Sequence, residues 1–197
     1  SDENTKRDFP FDYELKIKYT INGDTVTNEY TVTNTGEDKL PFVIGGHPAF
    51  NCPLAKNEKF EDYKVVFDKN ITKPCLRPDH HTGLVNVFEK FDEMHGGDTL
   101  SLVHELFEEK DALIFENCEA KSATLIGKSG KGVKIEFQDM NNLLIWSAVG
   151  NAPFVALEPW TGLASCNDED GLFEHKRGMT VLEKDETASF KFKITMI

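Results

Sequence analysis

Leu15-Lys16-Ile17-Lys18-Tyr19-Thr20-Ile21-Asn22-Gly23-Asp24-Thr25-Val26-Thr27-Asn28-Glu29-Tyr30-Thr31-Val32 reads as two strands folded back on each other. Leu15, Ile17 and Tyr19 alternate with charged or polar residues, a period of two that puts all three on one side of a pleated strand. Asn22-Gly23-Asp24 supplies a tight turn, and Val26, Tyr30 and Val32 carry the alternation along the return strand. Outward from this hairpin the same grammar repeats. Thr35-Gly36-Glu37-Asp38 turns again, and residues 40–44 form an apolar run that stops at Gly45-Gly46. Further strands are expected at 63–67, 112–115, 123–126, 133–137, 143–147, 154–158 and 188–194, with 84–88 as another candidate. Lys128-Ser129-Gly130-Lys131-Gly132 reads as a turn between two of them. A short helix is expected within 100–107. Many short strands joined by polar turns indicate an all-β antiparallel sandwich or barrel. No internal repeat or low-complexity linker divides the chain, so one β domain is expected over residues 1–197. Two loop-rich stretches, 48–61 and 161–178, are where binding residues are expected.

Length and composition agree with this reading. The 197 residues are 39% hydrophobic and 11% aromatic, enough for a packed core. With 34 acidic against 22 basic residues the formal charge is −12, which opposes binding to nucleic acid or an anionic membrane. No apolar run approaches the roughly 18 residues of a membrane span, and Ser1-Asp2-Glu3-Asn4-Thr5-Lys6-Arg7-Asp8 has no signal-like apolar core. Cys52, Cys75, Cys118 and Cys166 are widely spaced without a C-x-x-C pair, so reduced thiols in a cytoplasmic protein are expected rather than a disulfide framework or zinc site.

Two segments carry candidate chemistry. In Gly45-Gly46-His47-Pro48-Ala49-Phe50-Asn51, two glycines free the backbone ahead of a histidine that a proline locks in place. Such a frame fixes an imidazole, able to give or take a proton near neutrality, at a strand end. The plainer reading is a histidine that only hydrogen-bonds its loop. In Ala152-Pro153-Phe154-Val155-Ala156-Leu157-Glu158-Pro159-Trp160, a carboxylate closes an apolar run, where desolvation raises its pKa towards that of a working general base. A salt-bridged or solvated edge glutamate is the alternative there. Trp160 has the shape to stack on a sugar ring or simply to fill the core. His80-His81, His95 and His175 sit in polar surroundings and read as surface residues, and Asp168-Glu169-Asp170-Gly171 as a solvated acidic loop. Zincin, hydrolase-elbow, dinucleotide and phosphate-loop motifs are absent from the sequence, so neither metal nor cofactor is expected.

Taken together, the sequence resembles the aldose 1-epimerase, or galactose mutarotase-like, family. The resemblance rests on Gly45-Gly46-His47-Pro48-Ala49-Phe50-Asn51, Asp111-Ala112-Leu113-Ile114-Phe115, Leu143-Leu144-Ile145-Trp146-Ser147 and Glu158-Pro159-Trp160-Thr161-Gly162. A C-terminal run from Gly171-Leu172-Phe173-Glu174 to Leu182-Glu183 is similar to the family's last hairpin. It implies the galactose mutarotase-like supersandwich and cofactor-free interconversion of the α and β anomers of a free hexose by ring opening. Residue by residue it implies Glu158 as general base, His47 as general acid and Asp111 as a carboxylate accepting hydrogen bonds from sugar hydroxyls, with Asn51 and Trp160 as further substrate contacts. His47 and Glu158 are 111 positions apart, so only a long-range sheet topology brings them together. The family's pattern also includes an upstream segment with a second active-site histidine and a sugar-binding arginine. The sequence begins near the middle of that pattern and without a methionine, so it is expected to be the C-terminal part of the domain, paired with a separate N-terminal segment. The competing functional readings are a carbohydrate-binding β-sandwich without turnover, and an epimerase acting on a hexose 6-phosphate. The latter calls for basic side chains at the pocket, and Arg7, Arg77 and Arg177 do not cluster in the sequence.

Overall fold

The computed structural model describes residues 1–79, 81–108 and 111–197. His80 therefore lies outside the described residues, while its neighbour His81 is exposed on a turn organised by Asp79, whose Oδ1 accepts the His81 N–H at 2.9 Å. In chain order the strands are β1 (Tyr13–Asn22), β2 (Thr25–Asn34), β3 (Leu40–Phe42), β4 (Ala49–Asn51), β5 (Tyr63–Phe67), β6 (Cys75–Pro78), β7 (Val85–Phe91) and β8 (Thr99–Ser101). They continue as β9 (Ala112–Phe115), β10 (Ser122–Gly127), β11 (Gly132–Glu136), β12 (Asn142–Trp146), β13 (Phe154–Trp160), β14 (Thr180–Leu182) and β15 (Thr187–Met196). Among the described residues two short α-helices accompany them, α1 (Glu3–Asp8), capped by the Asp2 side chain, and α2 (Glu105–Glu108).

The strands form an antiparallel seven-stranded sheet, β1-β2-β15-β11-β10-β5-β8, a six-stranded sheet, β4-β13-β12-β9-β6-β7, and a β3-β14 ribbon. The Leu15 hairpin pairs in full register, Leu15 opposite Val32 and Ile21 opposite Val26. Alternation then sorts the side chains. Val65, Phe67, Ala123, Leu125 and Ile135 point from the larger sheet into one buried cluster with Leu113, Leu143, Ile145, Val155 and Leu157 of the smaller. This is the core of a sandwich, and the rings of Phe67 and Phe115 meet across it with centroids 5.2 Å apart. The other face of the six-stranded sheet carries a second buried cluster, Ala112, Ile114 and Leu144 with Leu163 and Cys166 from the 161–178 loop. All four cysteines are buried thiols.

Several elements depart from the sequence expectation. Residues 100–107 begin as strand, because Leu100 pairs with Val65 at the sheet edge and buries its side chain, and only Glu105–Glu108 is helical. The three-residue strands β4, β8 and β14 are too short for a periodicity to register. In β6 a register shift between Cys75 and Arg77 breaks the alternation, so the pattern that marks a strand is lost.

Candidate functional site

β13 builds the floor of the site. Val155 and Leu157 enter the core, so Ala156, Glu158 and Trp160 must face the other way. Beside β13 runs the segment of residues 44–51. Gly46 donates its N–H to the Pro159 carbonyl (3.0 Å), Leu157 donates to the Pro48 carbonyl (3.1 Å), and β4 pairs Ala49 with Ala156. Thr161 anchors the start of this segment, its hydroxyl accepting the Ile44 N–H at 2.9 Å. The result is a register that sets His47 against Glu158, with Nε2 3.3 Å from Oε1.

The two glycines before His47 serve packing rather than conformational freedom, a correction to the sequence reading. Neither has a positive φ. A Cβ on Gly45 would instead run into the Trp160 indole, and one on Gly46 would lie 2.5 Å from Cε1 of Phe192. Only glycine lets the strand lie this close to both rings.

A cleft of about 300 Å³ opens here, walled by residues 43–47 on one side and by Gly162, Leu163 and Ala164 on the other, with Glu158 and Trp160 between. Glu158 is 1% exposed, and its Oε2 is buried without a hydrogen-bond partner among the described residues. Burial pushes its carboxyl up to about 8; the Trp160 indole opposes the rise and the nearby Asp111 charge adds to it. The same Trp160 Nε1 donates to the Gly46 carbonyl at 3.2 Å, tying the floor to the wall. The His47 side chain, by contrast, is 58% exposed. A solvent-facing imidazole touching a desolvated carboxylate is an arrangement able to move protons at neutral pH.

Asp111 comes near the site without lining the cleft. It has a positive φ of 57°, its N–H donates to the Phe107 carbonyl at 3.0 Å, and its Oδ1 accepts the Trp146 indole N–H at 2.7 Å. Trp146 in turn stands edge-on to His47, ring centroids 5.7 Å apart at 88°. Trp146 is a residue the sequence reading quoted without giving it a part. Trp146 lies two positions from Leu144, the partner of Glu158 across the sheet, and so shares its face, a placement that depends on the strand pairing. Asn51 stays outside the cleft; it is exposed at the end of β4, opposite Phe154. Neither Arg77 nor Arg177 lines the cleft. Arg77 is buried against Glu93 (2.7 Å), and Arg177 pairs with Glu116 (3.3 Å) and Asp168. Among the described residues, no three His, Cys, Asp or Glu side chains converge as metal ligands, and no helix is long and apolar enough to cross a membrane.

The family model for aldose 1-epimerase matches residues 1–195. This chain belongs to the aldose 1-epimerase family. The chain is similar to protein LacX of Lactococcus lactis subsp. lactis, in its plasmid-borne form, 36% identical over 191 residues. The match takes in 95% of this chain and 63% of LacX. Among solved structures, a galactose mutarotase related enzyme from Lactobacillus acidophilus superposes on the whole chain with a TM-score of 0.89 and 25% identity, 65% of that protein being covered. A galactose mutarotase-like protein from Lactobacillus casei ATCC 334 gives a TM-score of 0.86 and 28% identity, with 100% of this chain and 67% of that one covered. This aldose 1-epimerase family chain thus has the galactose mutarotase-like fold and spans just under two thirds of LacX.

Proposed function

We propose that this family member interconverts the anomers of a free hexose, with Glu158 as general base and His47 as general acid. The observation that carries the reading is the buried carboxyl of Glu158, raised to about 8, in contact with an exposed imidazole at the mouth of a cleft. Glu158 takes the proton of the C1 hydroxyl as its oxygen becomes a carbonyl. The C1–ring oxygen bond breaks, and His47 gives a proton to the departing oxygen. Rotation about the C1–C2 bond presents the other face of the aldehyde, and the steps reverse. Nothing is oxidised or reduced, so neither metal nor cofactor is called for. Trp160 offers an apolar surface to the ring, and the Asp111 carboxylate accepts hydrogen bonds from sugar hydroxyls. The pairing of Arg77 and Arg177 with carboxylates favours a neutral hexose over a hexose 6-phosphate.

The chain spans 63% of LacX, so the proposal extends to a form that includes a segment corresponding to the remainder of LacX. Polarimetry on freshly dissolved α-glucose and α-galactose tests the chemistry, run on the chain alone and together with such a segment. The expected result is rotation that reaches its equilibrium value faster than in buffer, an acceleration lost in Glu158→Gln. A spontaneous rate left unchanged in both samples, with sugar still quenching tryptophan emission, would replace the enzyme by a binding module.

A further inference from the structure

The cleft is graded along its length. Gly45 bridges Trp160 in antiparallel sense, which brings three successive pairs together across it. They are His47 with Glu158, Gly45 with Trp160, and Val43 with Gly162, and all of them line the cleft. At the first pair, Nε2 meets Oε1 at 3.3 Å. At the third, a Cβ on Gly162 would lie 2.4 Å from Cγ1 of Val43, so the valine rests directly on the glycine backbone. One end of the cleft is therefore titratable, its middle is an indole, and its other end is aliphatic.

Leu163 and Ala164 complete the aliphatic end. Leu163 is fixed there, because it packs into the buried cluster of Ala112, Ile114 and Leu144. Main-chain groups that could serve a hydroxyl are already engaged beside it. The Ile44 carbonyl accepts both the N–H and the hydroxyl of Thr161, at 2.9 and 3.1 Å, and the Ile44 N–H donates to the same hydroxyl. The Gly46 N–H goes to the Pro159 carbonyl, and the Gly162 carbonyl accepts the Asn142 side-chain amide at 3.0 Å. A sugar hydroxyl pressed against this end exchanges water for carbon and loses affinity, whereas a methyl group there gains it.

We propose that the sugar preferred at this cleft is a 6-deoxyhexose, its C6 methyl group seated among Val43, Leu163 and Ala164. The assignment rests on the acid–base reading above, which sets the C1 hydroxyl at Glu158 and the ring oxygen at His47. C5 is bonded to that ring oxygen. A pyranose held at the first pair therefore lies over Trp160 and presents its C5 substituent along the segment of residues 43–47, towards the third pair. A hydroxymethyl group in that place buries its oxygen against aliphatic carbon, and a methyl group does not. An apolar pocket rejects an added hydroxyl only moderately, so the parent hexoses remain weaker substrates. The bonds made and broken are those of anomer interconversion, and C6 takes no part in them.

The test compares 6-deoxyglucose, glucose and xylose, which share one ring stereochemistry and carry methyl, hydroxymethyl or hydrogen on C5. Affinity is read from quenching of tryptophan emission, and turnover from polarimetry. 6-Deoxyglucose should bind roughly tenfold more tightly than glucose, and more tightly than xylose. The advantage in turnover should fall on KM rather than kcat, because C6 is remote from the reacting bond. Val43→Thr puts a hydroxyl at the aliphatic end with little change of shape, so the affinities for 6-deoxyglucose and glucose should become nearly equal while that for xylose stays the same. Ala164→Ser makes the same kind of change at an exposed position, where folding is not at stake, and should also reduce the ratio. Affinity for 6-deoxyglucose that is equal to that for glucose, weaker or undetectable overturns the proposal, and so does a preference indifferent to both substitutions. A 6-deoxy preference in binding without acceleration of any of the three sugars would remove the catalytic reading and keep this site. Acceleration of all three without that preference would remove the 6-deoxy assignment alone.

Discussion

Nε2 of His47 and Oε1 of Glu158 lie 3.3 Å apart, yet the imidazole is in water and the carboxylate is out of it. Their contact couples an imidazole open to water to a carboxyl whose ionisation is resisted by its surroundings. With Glu158 as base, only its ionised form reacts, so the limb of the kcat/KM profile that Glu158 sets should lie near 8 rather than in the ordinary glutamate range. A pH–rate profile of the active form measures this directly. An acidic limb near 4.5 would mean that burial does not control the working group.

The same raised pKa makes a stability prediction with a definite sign. Folded Glu158 holds its proton up to about 8, whereas the unfolded side chain releases it near its usual value of 4.5. Its contribution to stability is therefore full below 4.5 and is lost as pH rises through about 8. Glu158→Gln removes the buried charge, so the variant should match the parent at pH 4 and exceed it at pH 9. The gain is about 1.4 kcal/mol for each unit separating the two pKa values. Thermal melts at the two pH values check it, and a variant less stable at pH 9 would contradict it.

Asp111→Asn and Trp146→Phe separate charge from geometry at the next contact outwards. Asparagine removes the charge that helps raise the Glu158 pKa, so the acidic limb of the rate profile should move to lower pH. Phenylalanine keeps a ring edge-on to His47 but deletes the indole donor that holds Asp111 Oδ1 at 2.7 Å. A hydrogen bond to a charged group contributes about 1.5–3 kcal/mol. Trp146→Phe should therefore raise KM by roughly tenfold while changing kcat less. The reverse split would make Trp146 part of the proton-transfer machinery.

Much of this organisation is legible in the chain because it follows from period and turn chemistry. Alternation at Leu15, Ile17 and Tyr19 and the Asn22-Gly23 turn give the hairpin its residue-by-residue register. Alternation at Val155 and Leu157 likewise obliges Glu158 to face away from the core. What local pattern does not carry is which face of a sheet finds a cover. Leu15 and Val65 look alike in sequence, and one is exposed while the other is fully buried, because the smaller sheet ends between them. The close approach of Gly45 to Trp160 joins positions 115 apart, so the need for glycine there reads in sequence as flexibility. Trp146 acquires its place only through its pairing with Ala112 and Ala156, a matter of sheet order.

Proton transfer alone accounts for ring opening, so dialysis against a strong chelator should leave the rate of anomer interconversion unchanged. His47→Asn should lower kcat by roughly 10²-fold with little change in KM, since the acid acts only as the ring bond breaks. Restoration of activity by added divalent metal after dialysis would point away from this chemistry, and an effect of His47→Asn on KM alone would make it a binding residue.

Gly45→Ala and Gly46→Ala make neighbouring substitutions with different consequences. A methyl group on Gly45 meets the half-buried Trp160, which can swing towards the open cleft, whereas one on Gly46 meets Phe192, held in the core. Gly45→Ala should therefore displace the indole, break its 3.2 Å bond to the Gly46 carbonyl, shift tryptophan emission and weaken sugar binding, with a small loss of stability. Gly46→Ala should leave emission nearly unchanged and cost about 1–3 kcal/mol, the usual penalty for overpacking, lowering Tm by roughly 5 °C. Trp146 and Trp160 are the two tryptophans of the chain, so Trp146→Phe supplies a background in which emission reports Trp160 alone. Unchanged emission and sugar affinity in Gly45→Ala on that background would show that the wall and floor of the cleft are not locked together as their contact implies.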